Sequence, residues 1–256
     1  MLLLGYELSS DKSLGTLARV YCLLFGAPML GLHIRWRKVK SLLPKTASRI
    51  LDAGCGRGVI TRAVAKKYPD AKVEAIDELD EFQKKNQFLA ESMGLQNCTF
   101  IHDNLLELNE EDIYDLILSV DNLEHIEDDV KVLSNFFTAM QSGGTLLVHV
   151  PHYYRRWPVF KRKVNFEVPG HVRPGYHLPE MIEKIRAAGF LVENSGFSYG
   201  FMENLSNNIS YVITGAQERN RALYAVVYPL LYILAWFGKW SSPSFGAGVW
   251  VLARKP

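Results

Sequence analysis

The chain has 256 residues, enough for one large domain or a domain with an appendage, and for a buried core. Apolar residues make up 48% and charged residues 22%, which excludes a disordered or fibrous chain. Net charge is only +2, too small by itself to argue for nucleic acid.

The first 47 residues precede any strand pattern and read as a helical cap. In Leu14–Lys40, Leu17, Val20, Tyr21, Leu24 and Phe25 fall at helical spacing, ahead of His33-Ile-Arg35-Trp36-Arg37-Lys38. From Ser48 onward, short β-branched runs alternate with helical stretches. Strands are predicted at Arg49–Ala53, Lys72–Ile76, Thr99–His102, Tyr114–Val120 and Thr145–Val150. Helices are predicted at Val59–Tyr68, Leu79–Met93 and Ile126–Met140, with Gly94 and Gly143-Gly144 as stops or turns. This alternation demands crossover connections and a parallel sheet with helices on both faces. Pro179–Ala188 then reads as a helix, and Phe190–Asn194 and Gly248–Ala253 as strands. The expected division is a cap (1–47), a core (48–200) with an insert (151–177), an apolar helical insert (201–245) and a last core strand (246–256).

The strongest site is Asp52-Ala-Gly54-Cys55-Gly56-Arg-Gly58, between a strand and a helix. Glycines at alternate positions let the backbone turn sharply and approach a ligand closely. Asp77 closes the second strand 19 residues after Gly58, where a carboxylate can accept both ribose hydroxyls of a nucleoside. The spacing is G-x-G-x-G rather than the dinucleotide G-x-G-x-x-G. An acid two residues ahead would repel a pyrophosphate, yet it suits a ligand with ammonium and sulfonium charges.

These residues resemble the class I S-adenosylmethionine-dependent methyltransferases over about 48–200 and the last strand. ILDAGCGRG is similar to the family's first motif, VEAID to its second and IHDNLLEL to its third. YDLILSVDNLEHIED resembles the fourth-strand motif and GGTLLVHVP the fifth strand. The resemblance implies a Rossmann-like α/β fold: a mostly parallel seven-stranded sheet whose last strand is antiparallel. It also implies S-adenosylmethionine as cofactor, held by Asp52, Gly54, Cys55, Gly56, Gly58, Asp77 and Glu78. Asp103 would meet the adenine amine, with Asn104 or Leu105 flanking the ring.

Methyl transfer is an in-line displacement, and holding nucleophile and methyl in contact contributes up to roughly 7–11 kcal/mol. A base is needed only when the acceptor must lose a proton. Ligands of open α/β sheets sit at the carboxyl ends of strands. That position makes His125 and His152 the expected catalytic residues, with His149 on the fifth strand. The acid-x-x-Glu-His run Asp121, Glu124, His125 resembles the divalent-cation motif of ubiquinone-type O-methyltransferases, but Asp replaces the first Glu and its shorter side chain reaches less far, so no metal is expected. His171-Val-Arg173-Pro-Gly-Tyr176-His177 resembles a stretch at the substrate mouth of small-molecule members. With Tyr153 and Arg156, these residues are the expected acceptor-binding set.

The appendages point to an apolar or lipid-linked acceptor. Ala222–Gly238 is 17 uncharged residues with Pro229 at its middle, rich in interface-seeking Tyr and Trp. A true span would separate the last strand from its sheet. The segment is therefore expected to lie in a membrane surface, to cap the site, or to pack in the core or a dimer. HYYRRWPVFKRKVNF, residues 152–166, interleaves five basic residues with Tyr153, Tyr154, Trp157, Phe160 and Phe166. Such a patch suits an anionic membrane, a lipid-linked phosphate or a solvated insert better than nucleic acid.

Cys22, Cys55 and Cys98 show no metal-ligand spacing or disulfide framework, and no secretory signal opens the chain. The expectation is a cytoplasmic monomer or homodimer, peripheral on the membrane, with no nucleic-acid partner. The alternatives are a methyltransferase of a polar metabolite or RNA, and a non-catalytic cofactor-binding module.

Overall fold

A computed structural model describes residues 3–157, 161–215 and 219–256. A 3-10 turn at Tyr6–Ser10 leads into α1 (Thr16–Phe25) and α2 (Leu30–Leu42). The helical spacing across Leu14–Lys40 is broken in two, because Gly26 takes φ +70° and Pro28 follows. The core then alternates β1 (Arg49–Ala53), α3 (Val59–Lys67), β2 (Lys72–Asp77), α4 (Asp80–Ser92), β3 (Cys98–His102), β4 (Tyr114–Val120), α5 (Asp129–Ala139) and β5 (Met140–Pro151). A hairpin of β6 (Tyr154–Arg156) and β7 (Arg162–Val164) precedes α6 (Leu178–Ala187), β8 (Leu191–Ser198), α7 (Phe201–Thr214), α8 (Arg221–Trp236) and β9 (Gly248–Arg254).

The main sheet has the order β3-β2-β1-β4-β5-β9-β8, with β9 antiparallel to both its neighbours. Helices cover it on both sides, the Rossmann-like arrangement expected. Consecutive strand residues feed opposite cores, as period two requires. Leu51 and Ile117 pack with Phe136 of α5 and Met181 of α6. Ile50, Leu116 and Leu118 pack with Val64 of α3 and Val39 of α2. Such fully buried aliphatic side chains each contribute about 1.5–3 kcal/mol.

Three elements differ from expectation. β5 starts at Met140 rather than Thr145, because Met140 pairs with Tyr114 across a register shift. β8 continues to Ser198, paired with Gly248. Within the insert at 151–177, β6 and β7 pair from Tyr154–Val164 to Arg156–Arg162, a hairpin the sequence did not signal. Phe160, at the centre of the basic patch, lies outside the described residues.

A third cluster joins Leu30 and Ile34 of α2 to Tyr228, Leu231 and Ala235 of α8. Pro229 removes the N–H that would bond the Ala225 carbonyl four residues earlier. The Tyr21 hydroxyl of α1 donates to that carbonyl instead, at 2.6 Å. The proline inside α8 is thus the docking point of α1.

Candidate active site

The glycine loop follows β1 with Gly54, Gly56 and Gly58 at φ +79°, +49° and +63°, all left-handed. A Cβ on Gly54 would lie 2.1 Å from Asn122 Cγ, and one on Gly58 would lie 2.5 Å from the Phe100 ring. A Cβ on Gly56 would meet nothing within 4 Å. Two of the glycines therefore serve close packing, while the middle one leaves an open approach. Asn122 Nδ2, against Gly54, is buried with no hydrogen-bond partner among the described residues. Asp77 accepts from the Gly56 N–H at 2.7 Å and from the Leu79 N–H at 2.9 Å. A carboxylate has about four acceptor sites, so Asp77 retains capacity for a ligand's hydroxyls. An open glycine, an orphaned amide and an acid at the end of β2 fit a nucleoside cofactor.

The other residues expected around it are distributed as follows. Asp103 is exposed, and its N–H donates to the Asp77 carbonyl. Asn104 caps the next turn by accepting from the Leu106 N–H, and Leu105 is buried in the core. Glu78 is exposed, and the Cys55 thiol lies 3.7 Å from Gln83 Oε1. Burial, then Asp52 and Asp77, push that thiol upward. Asp52 is itself buried, accepting from the Thr61 hydroxyl at 2.6 Å. Burial raises its pKa to about 6, with Asp77 adding to the rise and Thr61 opposing it.

Beyond the ends of β4 and β5 lies a cleft of about 300 Å³. It is lined on the sheet side by Asp121, Glu124, His125 and His149, and on the helical side by Arg35 of α2 and Tyr211 of α7. His171 and Phe166 close it from the segment after the hairpin. Phe166 stacks on Tyr211 at 3.8 Å, and the Arg155 guanidinium sits 3.7 Å over the same Phe166 ring.

Charges in the cleft are ordered. Asp121 meets Arg35 at 2.7 Å and His149 Nδ1 at 2.7 Å. Burial opposes ionisation of Asp121, but Arg35 and His149 outweigh it and hold the carboxyl low. His149 Nε2 continues to the Ser198 hydroxyl at 2.7 Å. Glu124 is 1% exposed, and neither of its oxygens has a hydrogen-bond partner among the described residues. Burial, then the Asp121 charge, push it well above the usual carboxylate range. Burial and His125 lower His171 to about 4. His125 Nδ1 donates to the Gly170 carbonyl at 3.0 Å, which leaves Nε2 as an acceptor.

The expected catalytic and acceptor residues separate here. His125 and His171 line the cleft, with rings 4.5 Å apart. His152 is buried outside the lining, bonded to the Gly246 carbonyl and packed on Phe197 and Phe245. Tyr153 and His177 join the same aromatic group, and Arg156 lies over Phe245. Arg173 and Tyr176 clasp Asp129, and Arg173 also bonds the carbonyls of Ile126 and Glu127. They fasten the segment that carries His171. In the run resembling a cation motif, Asp121 is committed to Arg35 and His149. His171 instead brings a ligand atom to Glu124 and His125, all within 4.8 Å. Sequence reasoning missed Arg35, Phe166, Tyr199, Asn207 and Tyr211 as lining residues. Arg35, Phe166 and Tyr199 come from separate segments and carry no shared local signal, while Asn207 and Tyr211 share one face of α7 four residues apart.

Residues 44–188, more than half of the chain, match the family model described as a methyltransferase domain. Trans-aconitate 2-methyltransferase of Streptomyces avermitilis is 28% identical over 130 residues, which is 50% of this chain and 44% of that protein. Malonyl-[acyl-carrier protein] O-methyltransferase of Bacillus cereus is 31% identical over 111 residues, 43% of this chain and 40% of that protein. The matches thus span less than half the length of these two relatives. Phosphoethanolamine N-methyltransferase 2 of Haemonchus contortus, solved with S-adenosyl-L-methionine, superposes with a TM-score of 0.62 at 18% identity, covering 100% of this chain and 60% of that one. An S-adenosylmethionine-dependent methyltransferase from Mesorhizobium loti gives 0.59 at 19% identity, covering 89% and 100%. These two likenesses bear on the fold alone. With more than half of its length matched by the family model, the chain belongs to the class I S-adenosylmethionine-dependent methyltransferases.

Proposed function

We propose that this protein methylates an amphipathic small molecule at a membrane surface, with the acceptor in the cleft beyond β4 and β5. The observation that carries the reading is a cleft lined by aromatic rings and His125, whose Asp121 is followed by Asn122 packed against Gly54 of the glycine loop. Bound S-adenosylmethionine would supply a sulfonium methyl group for in-line attack by the acceptor, the C–S electron pair leaving with sulfur. The glycine loop binds through backbone groups and Asp77 receives the ribose hydroxyls. Phe166, Tyr199 and Tyr211 orient the acceptor and exclude water. For a hydroxyl acceptor, His125 takes the proton at Nε2, because its Nδ1–H is committed to Gly170.

The membrane part of the reading rests on α1 and α8. Leu223, Val226, Leu230, Ile233, Phe237 and Trp240 are exposed at alternating spacings of three and four residues. Val226 is 75% and Leu230 68% exposed. Leu17, Val20 and Leu24 are likewise exposed on α1, whose Tyr21 hydroxyl bonds to α8. With the 3-10 turn Phe237–Trp240 that continues it, α8 makes a run of 20 residues, long and apolar enough to cross a membrane, so length does not decide how it lies. The strands that bracket α7 and α8, β8 and β9, are neighbours in one sheet, and a single crossing by α8 would separate them. The helix therefore lies along an interface rather than across it.

The test is transfer from radiolabelled S-adenosylmethionine into a total cell extract, partitioned between organic and aqueous phases. Organic label is expected. Label confined to the aqueous phase overturns the amphipathic acceptor and leaves a polar metabolite.

A second reading is favoured by Glu124, His125 and His171. Two imidazoles and a carboxylate form a donor set that suits a divalent ion such as Zn2+. The Nδ1 donation of His125 to Gly170 has the form of an outer-shell bond that orients a ligand imidazole. Activity lost in EDTA and restored by Zn2+ or Co2+ supports this reading over His125 as base. Activity unchanged by EDTA removes it.

A further inference from the structure

A second cavity, of about 360 Å³, opens where α2 passes the end of α8. Its cationic lining residues are Arg37 and Lys38 of α2 and Lys239, beyond α8, against one acid, Glu203 of α7. Glu203 is occupied on both oxygens: Oε1 accepts from Arg37 Nη2 at 2.9 Å and Oε2 from the Gly200 N–H at 3.0 Å. Arg37 donates the same nitrogen to the Ala235 carbonyl, but its Nε and Nη1 are buried with no acceptor among the described residues. Among the described residues neither Lys38 nor Lys239 forms a direct ion pair, although Lys38 is near enough to Glu203 to favour its charged form. Lys38 lies 5.3 Å over Trp250, and Lys239 stands 3.6 Å and 4.2 Å from the Trp236 and Trp240 rings. Among its described lining residues the cavity thus carries a surplus of two positive charges. That chemistry calls for an anion.

The cavity's position narrows the anion. The exposed stripe of α8 runs through Leu230, Ile233 and Phe237 to Trp240, which is itself a lining residue of the cavity. Acyl chains against this stripe would place a phosphate at the stripe's end. Trp236 and Trp240 stand where interfacial aromatic rings sit, with Lys239 between the apolar face and the charged cavity. A free anion would make no use of this junction.

We infer that the cavity lined by Arg37, Lys38 and Lys239 binds the phosphate headgroup of an anionic membrane lipid whose chains lie against the outer face of α8. The site lies apart from the acceptor cleft. Ser198 lines the cavity, and a hydrogen-bonded row through His149 to Asp121 reaches the cleft. This inference rests on the membrane part of the proposed function and names the lipid class.

The experiment is co-sedimentation of the full chain with phosphatidylcholine vesicles, with and without about one-fifth phosphatidic acid, on wild type and on Lys38→Gln/Lys239→Gln. We expect at least tenfold stronger binding to the acidic vesicles. The double variant should bind both vesicle types alike, at the wild-type phosphatidylcholine level. Inorganic phosphate at 10 mM should leave wild-type binding unchanged, and displacement would assign the cavity to a free phosphate instead. Equal wild-type binding to both vesicles overturns the headgroup site and leaves membrane docking standing. Binding to neither overturns both. If the double variant keeps the acidic preference, the charge responsible lies elsewhere, in the basic hairpin, and the inference fails. S-adenosylhomocysteine binding and thermal midpoint, measured on each sample, separate these outcomes from misfolding and from failure of the cofactor site.

Discussion

Asp77 ties the glycine loop to the start of α4 through one carboxylate, so it orders two backbone segments as well as offering acceptors. Asp77→Ala is expected to weaken S-adenosylhomocysteine binding at least about 100-fold by titration calorimetry, with wild-type affinity refuting the assignment. Asp52, on β1, shows what burial does to a neighbouring acid. Its pKa rises from 3.8 to about 6 in the fold, so the native state binds the extra proton between those values. Stability therefore falls as pH rises from about 4 to 6, by roughly 3 kcal/mol in total. Asp52→Asn should flatten that interval in denaturant titrations and be the more stable chain at pH 7. Parallel pH profiles would show that Asp52 does not titrate this way. The positions of these two acids were legible in the sequence, because each lies at the carboxyl end of a strand of strong β pattern. That the carboxyl of Asp52 is spent on Thr61 was not, since this pairing depends on how α3 settles on β1.

At the scale of elements, the helices outside the core are held by polar contacts that compensate for irregular backbone. Tyr21→Phe leaves the Ala225 carbonyl, already freed by Pro229, with no partner. The expected cost is about 1–3 kcal/mol in chemical denaturation, and a change below about 0.3 kcal/mol would refute the docking role. His33 of α2 is buried against Tyr228 and Tyr232, bonded to the Ala27 carbonyl. Burial lowers it to about 4, with the Ala27 bond opposing and Arg37 assisting. Its folded value lies below the unfolded one, so the unfolded chain takes the proton first. Stability is lost as pH drops from 6.5 toward 4, by up to roughly 3 kcal/mol. His33→Asn should show a shallower acid loss than wild type, and matching slopes would exclude His33 as the cause. Apolar spacing marked these helices in advance. The break at Gly26 was less legible, because periodicity runs on across it.

At the scale of the whole molecule, the N-terminal segment is bound into the core rather than appended to it. Glu7 pairs with the buried Arg62 of α3 at 3.0 Å, and Asp11 with Lys85 of α4 at 2.6 Å. Asn86 of α4 in turn donates to the Gly56 carbonyl, so this packing reaches the cofactor loop. Ligand binding should consequently stabilise the chain as a unit. S-adenosylhomocysteine at about 100 times its Kd is expected to contribute about 2.7 kcal/mol, raising Tm by roughly 5–10 °C. NADH should give no shift, and a larger shift with NADH would overturn the cofactor assignment. What the sequence by itself determined was whatever is written locally: the alternating elements, the glycine loop, the acid closing β2 and the apolar helices. Each depends on spacing within one element, which a linear pattern records. Only the tertiary structure decided that His171 joins Glu124 and His125, that Asp121 is taken by Arg35 and His149, and that Arg37, Lys38 and Lys239 surround one cavity. Those groupings join residues up to about 200 positions apart, brought together by crossovers and helix packing that no local spacing encodes.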